Sequence, residues 1–273
     1  MAKPSDDAKP FVVPNPWGEL RQYTPARIAL GRAGTSLPTR PHLEFQLAHA
    51  RARNAFHHEL DVARLEAQLA AQGHETRVLH SAAGNRATYL QRPDKGRQLD
   101  AASRETLVRM ARPAEGYDVV FVIGDGLSSF AIEENVAAFL DVMLPPLADQ
   151  AWRIAPLMIV REARVAVGDE VGALLGAGMV VVLIGERPGL SSPDSMGIYM
   201  TLQPRVGLTD EARNCISNVR REGLSYEGAA HKLLYLMTEA RKRGHSGVQL
   251  KDEAEALPST LTTSRQNFLT KIG

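Results

Sequence analysis

Apolar positions recur along this chain with two different periods, and the alternation between them predicts its architecture. From His42 to about Gln72 the period is helical. Phe45, Ala48, Ala52 and Ala55 fall on related faces, a break is expected near Asp61, and Gly73 ends the pattern. Thr76 to His80 reads as a short strand. Residues 118–123 carry a continuous, β-branched-rich run (Val119-Val120-Phe121-Val122-Ile123), the signature of a strand covered on both faces. Residues 154–160 and 179–184 repeat that signature, and 196–202 alternates well enough for a fourth strong strand.

Helical patterns lie between these runs. Ser103 with Glu105 opens one that Pro113 closes. A second covers about 130–143, and a third runs from Gly168 to near Gly176. Tyr226 to Arg243 is a long amphipathic helix with Ala230, Leu233, Leu234 and Met237 facing inward and Arg241, Lys242 and Arg243 in its final turn. Alternation of strand and helix from 117 to 243 predicts an α/β fold: a Rossmann-like, mostly parallel sheet flanked by helices, with an N-terminal helical extension. Thr24-Pro25-Ala26-Arg27-Ile28 predicts a further capped helix start, with proline at the first helical position. Residues 31–40 read as a loop. The expected organisation is a disordered lead over 1–14, the helical extension over 15–75, the sheet domain over 76–250 and a charged tail over 251–273.

Composition narrows the class without changing it. The 273 residues are 44% hydrophobic and 23% charged, an ordinary globular balance, and the formal net charge of +1 gives no footprint for nucleic acid. One cysteine, Cys215, excludes an intrachain disulfide framework and suits a reducing compartment. No apolar run approaches the ~20 residues of a membrane span. The first 14 residues carry charges and three prolines but no apolar signal core, so no secretory signal is expected.

The candidate chemistry sits at strand ends. Gly124-Asp125-Gly126-Leu127-Ser128-Ser129 follows a buried strand and precedes a helix, a place where backbone N–H groups can receive a phosphate or a ribose hydroxyl. The competing reading is that a serine caps the helix and the glycines only shape the turn. The segment lacks the Gly-x-Gly-x-x-Gly pattern and the P-loop lysine, which argues against a nucleoside triphosphate. Gly185-Glu186-Arg187-Pro188-Gly189-Leu190 places a carboxylate directly after a buried strand, at the ligand-facing rim of a parallel sheet. A loop ion pair between Glu186 and Arg187 is the alternative. Cys215 stands among Arg213, Asn214, Ser217 and Asn218. A buried inert thiol and a contact in a ligand loop are both open, whereas nucleophilic chemistry would need a base such as His231 in space. Eight histidines show no metal-ligand spacing, and His57-His58 point to different sides of a helix, so no metal site is expected. The basic segment from Arg86 to Arg97 reads as a solvated loop, with contact to a phosphate or partner as its alternative.

Six segments in order carry a resemblance that these readings alone do not reach. They are Thr24-Pro25-Ala26-Arg27-Ile28-Ala29-Leu30-Gly31-Arg32-Ala33-Gly34, Tyr89-Leu90-Gln91-Arg92-Pro93-Asp94-Lys95-Gly96-Arg97, Asp125-Gly126-Leu127-Ser128, Arg164-Val165, Val181-Val182-Leu183-Ile184-Gly185-Glu186-Arg187-Pro188-Gly189-Leu190 and Cys215-Ile216-Ser217-Asn218. Together they span about residues 20 to 250, and the chain resembles the small (light) subunits of ethanolamine ammonia-lyases. The resemblance implies an adenosylcobalamin-dependent carbon–nitrogen lyase that turns ethanolamine into acetaldehyde and ammonia by radical chemistry. It implies a TIM-barrel large subunit that carries the catalytic residues, with none on this chain. It also implies that the 15–75 extension packs on that partner within a higher-order hetero-oligomer. By position, the family's cobalamin contacts fall on Val165, Glu186 and Cys215. Cobalamin proteins that swap the lower axial base for a histidine carry an Asp-x-His-x-x-Gly loop, and none occurs here. A base-on cofactor is therefore expected. The expected location is the cytoplasm. Many relatives carry a longer N-terminal extension associated with bacterial microcompartments, and only about 15 residues precede the first matching segment here, which argues against encapsulation. The competing functions are a stand-alone Rossmann-like nucleotide binder, disfavoured by the missing fingerprint, and a structural adaptor, which would not need polar strand-end loops.

Overall fold

A computed structural model describes residues 11–110 and 112–254. Six strands form one sheet: β1 (Thr76–His80), β2 (Val119–Gly124), β3 (Leu157–Arg161), β4 (Met179–Gly185), β5 (Met196–Leu202) and β6 (Arg213–Val219), in the spatial order β1-β3-β2-β4-β5-β6. The mostly parallel expectation holds for the first four strands in that order, which pair in parallel. The other two correct it: β5 runs antiparallel to β4, and β6 antiparallel to β5. Strands β2 and β4 are buried along their whole length, as their unbroken apolar runs require, because helices cover both faces.

The helices are α1 (Thr39–His57), α2 (Val62–Ala71), α3 (Arg86–Gln91), α4 (Ala101–Arg109), α5 (Ser129–Asp149), α6 (Val167–Leu175) and α7 (Tyr226–Arg243). One core forms where α2, α5 and α7 meet the sheet face bearing Phe121, Ile123, Val181 and Leu183. The opposite core joins α4 and α6 to Val120, Val122, Val180 and Val182. Alternate residues of each strand thus feed opposite cores, as the two-residue period of a strand demands.

The break near Asp61 is a helix start. The Asp61 side chain accepts the Arg64 N–H at 3.0 Å, and Gly73, at φ +85°, follows the end of α2. Four sequence expectations need correction. Thr24-Pro25 starts no helix: the Thr24 hydroxyl accepts the Ala26 N–H at 3.1 Å and Ala29 sits at φ +51°, so a local turn captures the backbone first. The segment 86–97 is not a solvated loop, because α3 and a 3-10 turn at Lys95–Arg97 bury Tyr89 and Gly96. The helix expected to stop near 143 runs through Pro145-Pro146 to Asp149. Cys215 lies not in a loop but on β6. Of the lead expected over 1–14, residues 1–10 fall outside the described residues, and Val13 exchanges both backbone hydrogen bonds with Arg32. The tail beyond Ala254 also falls outside them.

Among the described residues no helix is long and apolar enough to cross a membrane. The N-terminal arm and α1 carry much apolar surface in the open: Trp17 is 68% exposed, Tyr23 63% and Leu43 60%. Ala55 is the one buried residue of α1.

Candidate functional site

The parallel strands deliver their carboxyl ends to one rim of the sheet. The chain leaves β2 toward β3 on one flank and β4 toward β5 on the other, and such a divergence opens a crevice. A cavity of about 450 Å³ lies there, lined by Tyr89, Gly126, Leu127, Arg164, Val165, Ile184, Gly185, Glu186, Arg187 and Tyr199. A larger groove of about 660 Å³ lies at the opposite rim, between α5 and the starts of β1 and β3. None of the residues singled out from the sequence lines it, so the carboxyl-end crevice is the candidate site.

Two glycines set the crevice floor. A Cβ on Gly185 would stand 1.9 Å from the Ser128 carbonyl oxygen, and one on Gly126 would stand 2.2 Å from the Gly185 carbonyl oxygen. The turns after β2 and β4 therefore touch backbone to backbone, and the Leu127 N–H donates to the Gly185 carbonyl at 3.0 Å. This contact uses groups that a phosphate would have needed. The Gly126 N–H donates to its neighbour Asp125 at 2.8 Å. Ser128 caps α5 by accepting the Ala131 N–H, and its hydroxyl donates to the Pro193 carbonyl at 2.8 Å. The Ser129 hydroxyl donates to the His58 carbonyl. Of the two readings of this turn, capping and packing prevail.

Asp125 has a structural task as well. Its two carboxylate oxygens accept the Glu162 and Ala163 N–H groups, each at 2.8 Å, which fastens the turn after β3 to the turn after β2. Glu162 is held at φ +52° in doing so, a backbone state that a glutamate seldom adopts unaided. Burial, with the Glu162 charge second, pushes the Asp125 carboxyl up to about 6. The turn so anchored presents Arg164 and Val165 to the crevice.

Glu186 follows β4 directly. Its Oε2 accepts the Ser195 hydroxyl at 2.5 Å and the Asn218 N–H at 3.3 Å. Its backbone N–H donates to the Ser195 carbonyl at 2.9 Å, closing the base of the 186–195 loop. The alternative reading, a Glu186–Arg187 ion pair, does not occur among the described residues. The loop is tied at three more points. Gly189 and Ser192 exchange backbone bonds, Asn135 donates to the Asp194 carbonyl at 2.8 Å, and Arg220 pairs with the Asp194 carboxylate at 3.3 Å.

Cys215 does not line the cavity. It stands opposite Tyr199, which does, in the β5–β6 ladder. Cys215 is exposed, yet partial desolvation pushes its thiol up, a hydrogen bond with Tyr199 opposes the rise, and the Glu186 charge adds to it. The structure thus brings Val165 and Glu186 to one crevice and pairs Cys215 across the β5–β6 ladder with Tyr199, which lines it.

The sequence reading passed over Tyr89, Arg164 and Tyr199 as site residues. Tyr89 is fully buried, its hydroxyl donates to the Ala163 carbonyl at 3.1 Å, and Arg164 lies over its ring at 4.2 Å. A lone aromatic in a basic stretch was the available signal, since a cation needs such a ring to lie flat on.

A family model for the ethanolamine ammonia-lyase light chain matches residues 14–251. The chain is similar to the ethanolamine ammonia-lyase small subunit of Ralstonia nicotianae, at 58% identity over 98% of this chain and 99% of that one. It is also similar to the small subunits of Pseudomonas syringae pv. tomato, at 54% over 100% and 94%, and of Pseudomonas fluorescens, at 57% over 96% and 97%.

Proposed function

Because the chain belongs to the ethanolamine ammonia-lyase light-chain family, we propose that it works as the cofactor-clamping, non-catalytic subunit of an adenosylcobalamin-dependent lyase. When bound, that cofactor supplies the radical initiation for converting ethanolamine to acetaldehyde and ammonia. This chain's share is to hold and orient. Val165 offers an apolar contact at the mouth of the crevice. Glu186 has one carboxylate oxygen, Oε1, with no hydrogen bond of its own among the described residues, able to accept from an amide or hydroxyl. Cys215 borders the same surface through Tyr199.

The observation that carries the reading is the meeting of Val165 and Glu186 in one strand-end cavity. The donor set fits the group. An acceptor at Glu186 and cations at Arg164 and Arg187 meet a ligand rich in amides, hydroxyls and one phosphodiester. A corrinoid macrocycle is far larger than about 450 Å³, so this chain takes only part of it and a second chain must cover the rest. The N-terminal extension supports such a partner: Trp17, Tyr23, Leu43 and Leu47 are more than half exposed, a patch that suits burial against a large subunit. We assign the cofactor its own benzimidazole as lower ligand, since no Asp-x-His-x-x-Gly loop is present. We place the resulting hetero-oligomer in the cytoplasm, and cell fractionation distinguishes that from enclosure in a bacterial microcompartment.

Co-expression with a TIM-barrel large subunit is the test. The two chains should co-purify, take up added cobalamin with a visible corrinoid spectrum, and release acetaldehyde from ethanolamine only when both are present. Acetaldehyde from this chain alone, with cofactor and substrate, would overturn the division of labour.

A further inference from the structure

Arg164 is a cation in the crevice that pairs with no carboxylate among the described residues. Its guanidinium lies on the Tyr89 ring at 4.2 Å, and one Nη donates only weakly to the Tyr89 carbonyl, at 3.5 Å. Its Nε is buried and has no hydrogen-bond partner among the described residues. The neighbouring Arg86 differs. It stacks 4.8 Å from the same ring and its Nε is likewise buried without a partner among the described residues, but its two Nη atoms are engaged by the Gly126 and Phe56 carbonyls and by Glu162 at 3.4 Å. Of the nearby buried acids, Glu162 pairs with Arg86, and both Asp125 carboxylate oxygens accept backbone N–H groups. The backbone of Arg164 is fixed too, its N–H donating to the Gly96 carbonyl at 2.8 Å. Its stem passes so close to Gly96 that a Cβ there would stand 2.8 Å from the Arg164 Cγ.

A guanidinium held flat, fixed at its root, facing a cavity and lacking an acid has the features of an anion receptor. Planar N–H pairs match phosphate oxygens, and stacking on an aromatic ring leaves those N–H edges free. We propose that Arg164, on its Tyr89 platform, receives the phosphodiester of the nucleotide tail of a cobalamin. This rests on the cofactor reading above and adds to it the place of the tail: the phosphate lies on the β3 side of the crevice, while Glu186 meets uncharged polar groups on the β4 side. Arg164 is a positioning residue, since the phosphodiester takes no part in the chemistry.

The test uses the assembled two-subunit complex with Arg164→Gln, Arg164→Lys and Glu186→Gln variants. Cyanocobalamin is titrated against each, followed by its visible spectrum, beside cobinamide, which lacks the phosphodiester and the nucleotide. Arg164→Gln should raise the cyanocobalamin dissociation constant by roughly ten- to a hundred-fold, the loss of one charge-assisted contact. The cobinamide dissociation constant should match the wild-type complex, and Arg164→Lys should recover part of the loss. The single phosphorus-31 resonance of bound cobalamin should shift from its free position in the wild-type complex and return toward it in Arg164→Gln. An Arg164→Gln complex that binds both corrinoids as the wild type does, or that weakens for both equally, overturns the assignment. So does an unmoved phosphorus resonance. If cobalamin fails to bind the wild-type complex at all, the cofactor reading itself falls. If Glu186→Gln weakens cobalamin while Arg164→Gln does not, only the phosphate assignment falls.

Discussion

Tyr199 stands directly opposite Cys215 across the β5–β6 ladder, and it is Tyr199 that lines the crevice. Opposed side chains on one sheet face lie about 5 Å apart at their Cβ atoms, so the two share one environment. Desolvation raises both groups, each favouring its neutral form. A thiol held neutral is a poor nucleophile.

Cys215→Ser should therefore leave most turnover in the assembled enzyme, because size and a donor are kept. Cys215→Trp should crowd Tyr199 and weaken corrinoid binding. Steady-state rates at saturating cofactor, with occupancy read from the visible spectrum, separate the two effects. A serine variant that is fully occupied yet inactive would give the thiol a chemical role.

Glu186→Ala should weaken cofactor binding by roughly ten- to a hundred-fold, the effect of one lost charge-assisted contact, and leave subunit association unchanged. The Ser195 hydroxyl and Asn218 N–H lose their acceptor in the same variant. An unchanged cobalamin dissociation constant in an intact complex would confine Glu186 to holding the loop.

Gly185→Ala should cost ~3 kcal/mol or more, because its Cβ would meet the Ser128 carbonyl at 1.9 Å and neither backbone can withdraw. Gly84→Ala is the control. It has a positive φ of +73° but open space around it, so strain alone should cost about 1–2 kcal/mol. Thermal unfolding of the two variants should differ in that order, and equal losses would show that the touching turns can move apart.

Asp125 gives a pH dependence of defined sign. Its carboxyl rises to about 6 in the fold, against ~3.9 unfolded. The native state then binds more protons between those values, so the Asp125 contribution grows as pH falls from about 6 toward ~4 and is at its smallest above 6. Asp125→Asn, which swaps one acceptor oxygen for a donor facing an N–H, should be destabilised by ~1–3 kcal/mol at pH 7. Urea titrations of both forms at pH 7 and pH 5 should show the gap widening at the lower pH, and a gap that narrows would reverse the assignment.

The sheet was largely legible in the sequence because β2, β3, β4 and β5 carry their own apolar signal, whereas β6 borrows its stability. In β6 only Ile216 and Val219 are buried apolar residues, and Arg213 enters the interior because Asp169 on α6 receives it. That partnership spans 44 residues and leaves no local trace. The antiparallel turn of β5 is equally silent, since a buried strand has the same pattern in either direction. In the site, Val165 and Glu186 were accessible through matching segments. The structural task of Asp125 was not legible because its partners are the backbone N–H groups of Glu162 and Ala163, and backbone donors have no sequence signature. Arg164 was hidden for a similar reason: what marks it is a missing partner.

The 186–195 loop is closed at its base by Glu186 and Ser195, held to the body of the protein at Asp194 by Asn135 and Arg220, and braced across its own turn by Gly189 and Ser192. Its conformational entropy is therefore lost during folding and not during capture of a ligand. Calorimetry across temperature should show a binding heat capacity set by the surface covered, without the added negative increment of a segment that folds as it binds. A rim of this kind behaves as a mould cast beforehand, and its affinity is limited by fit and desolvation more than by the cost of order.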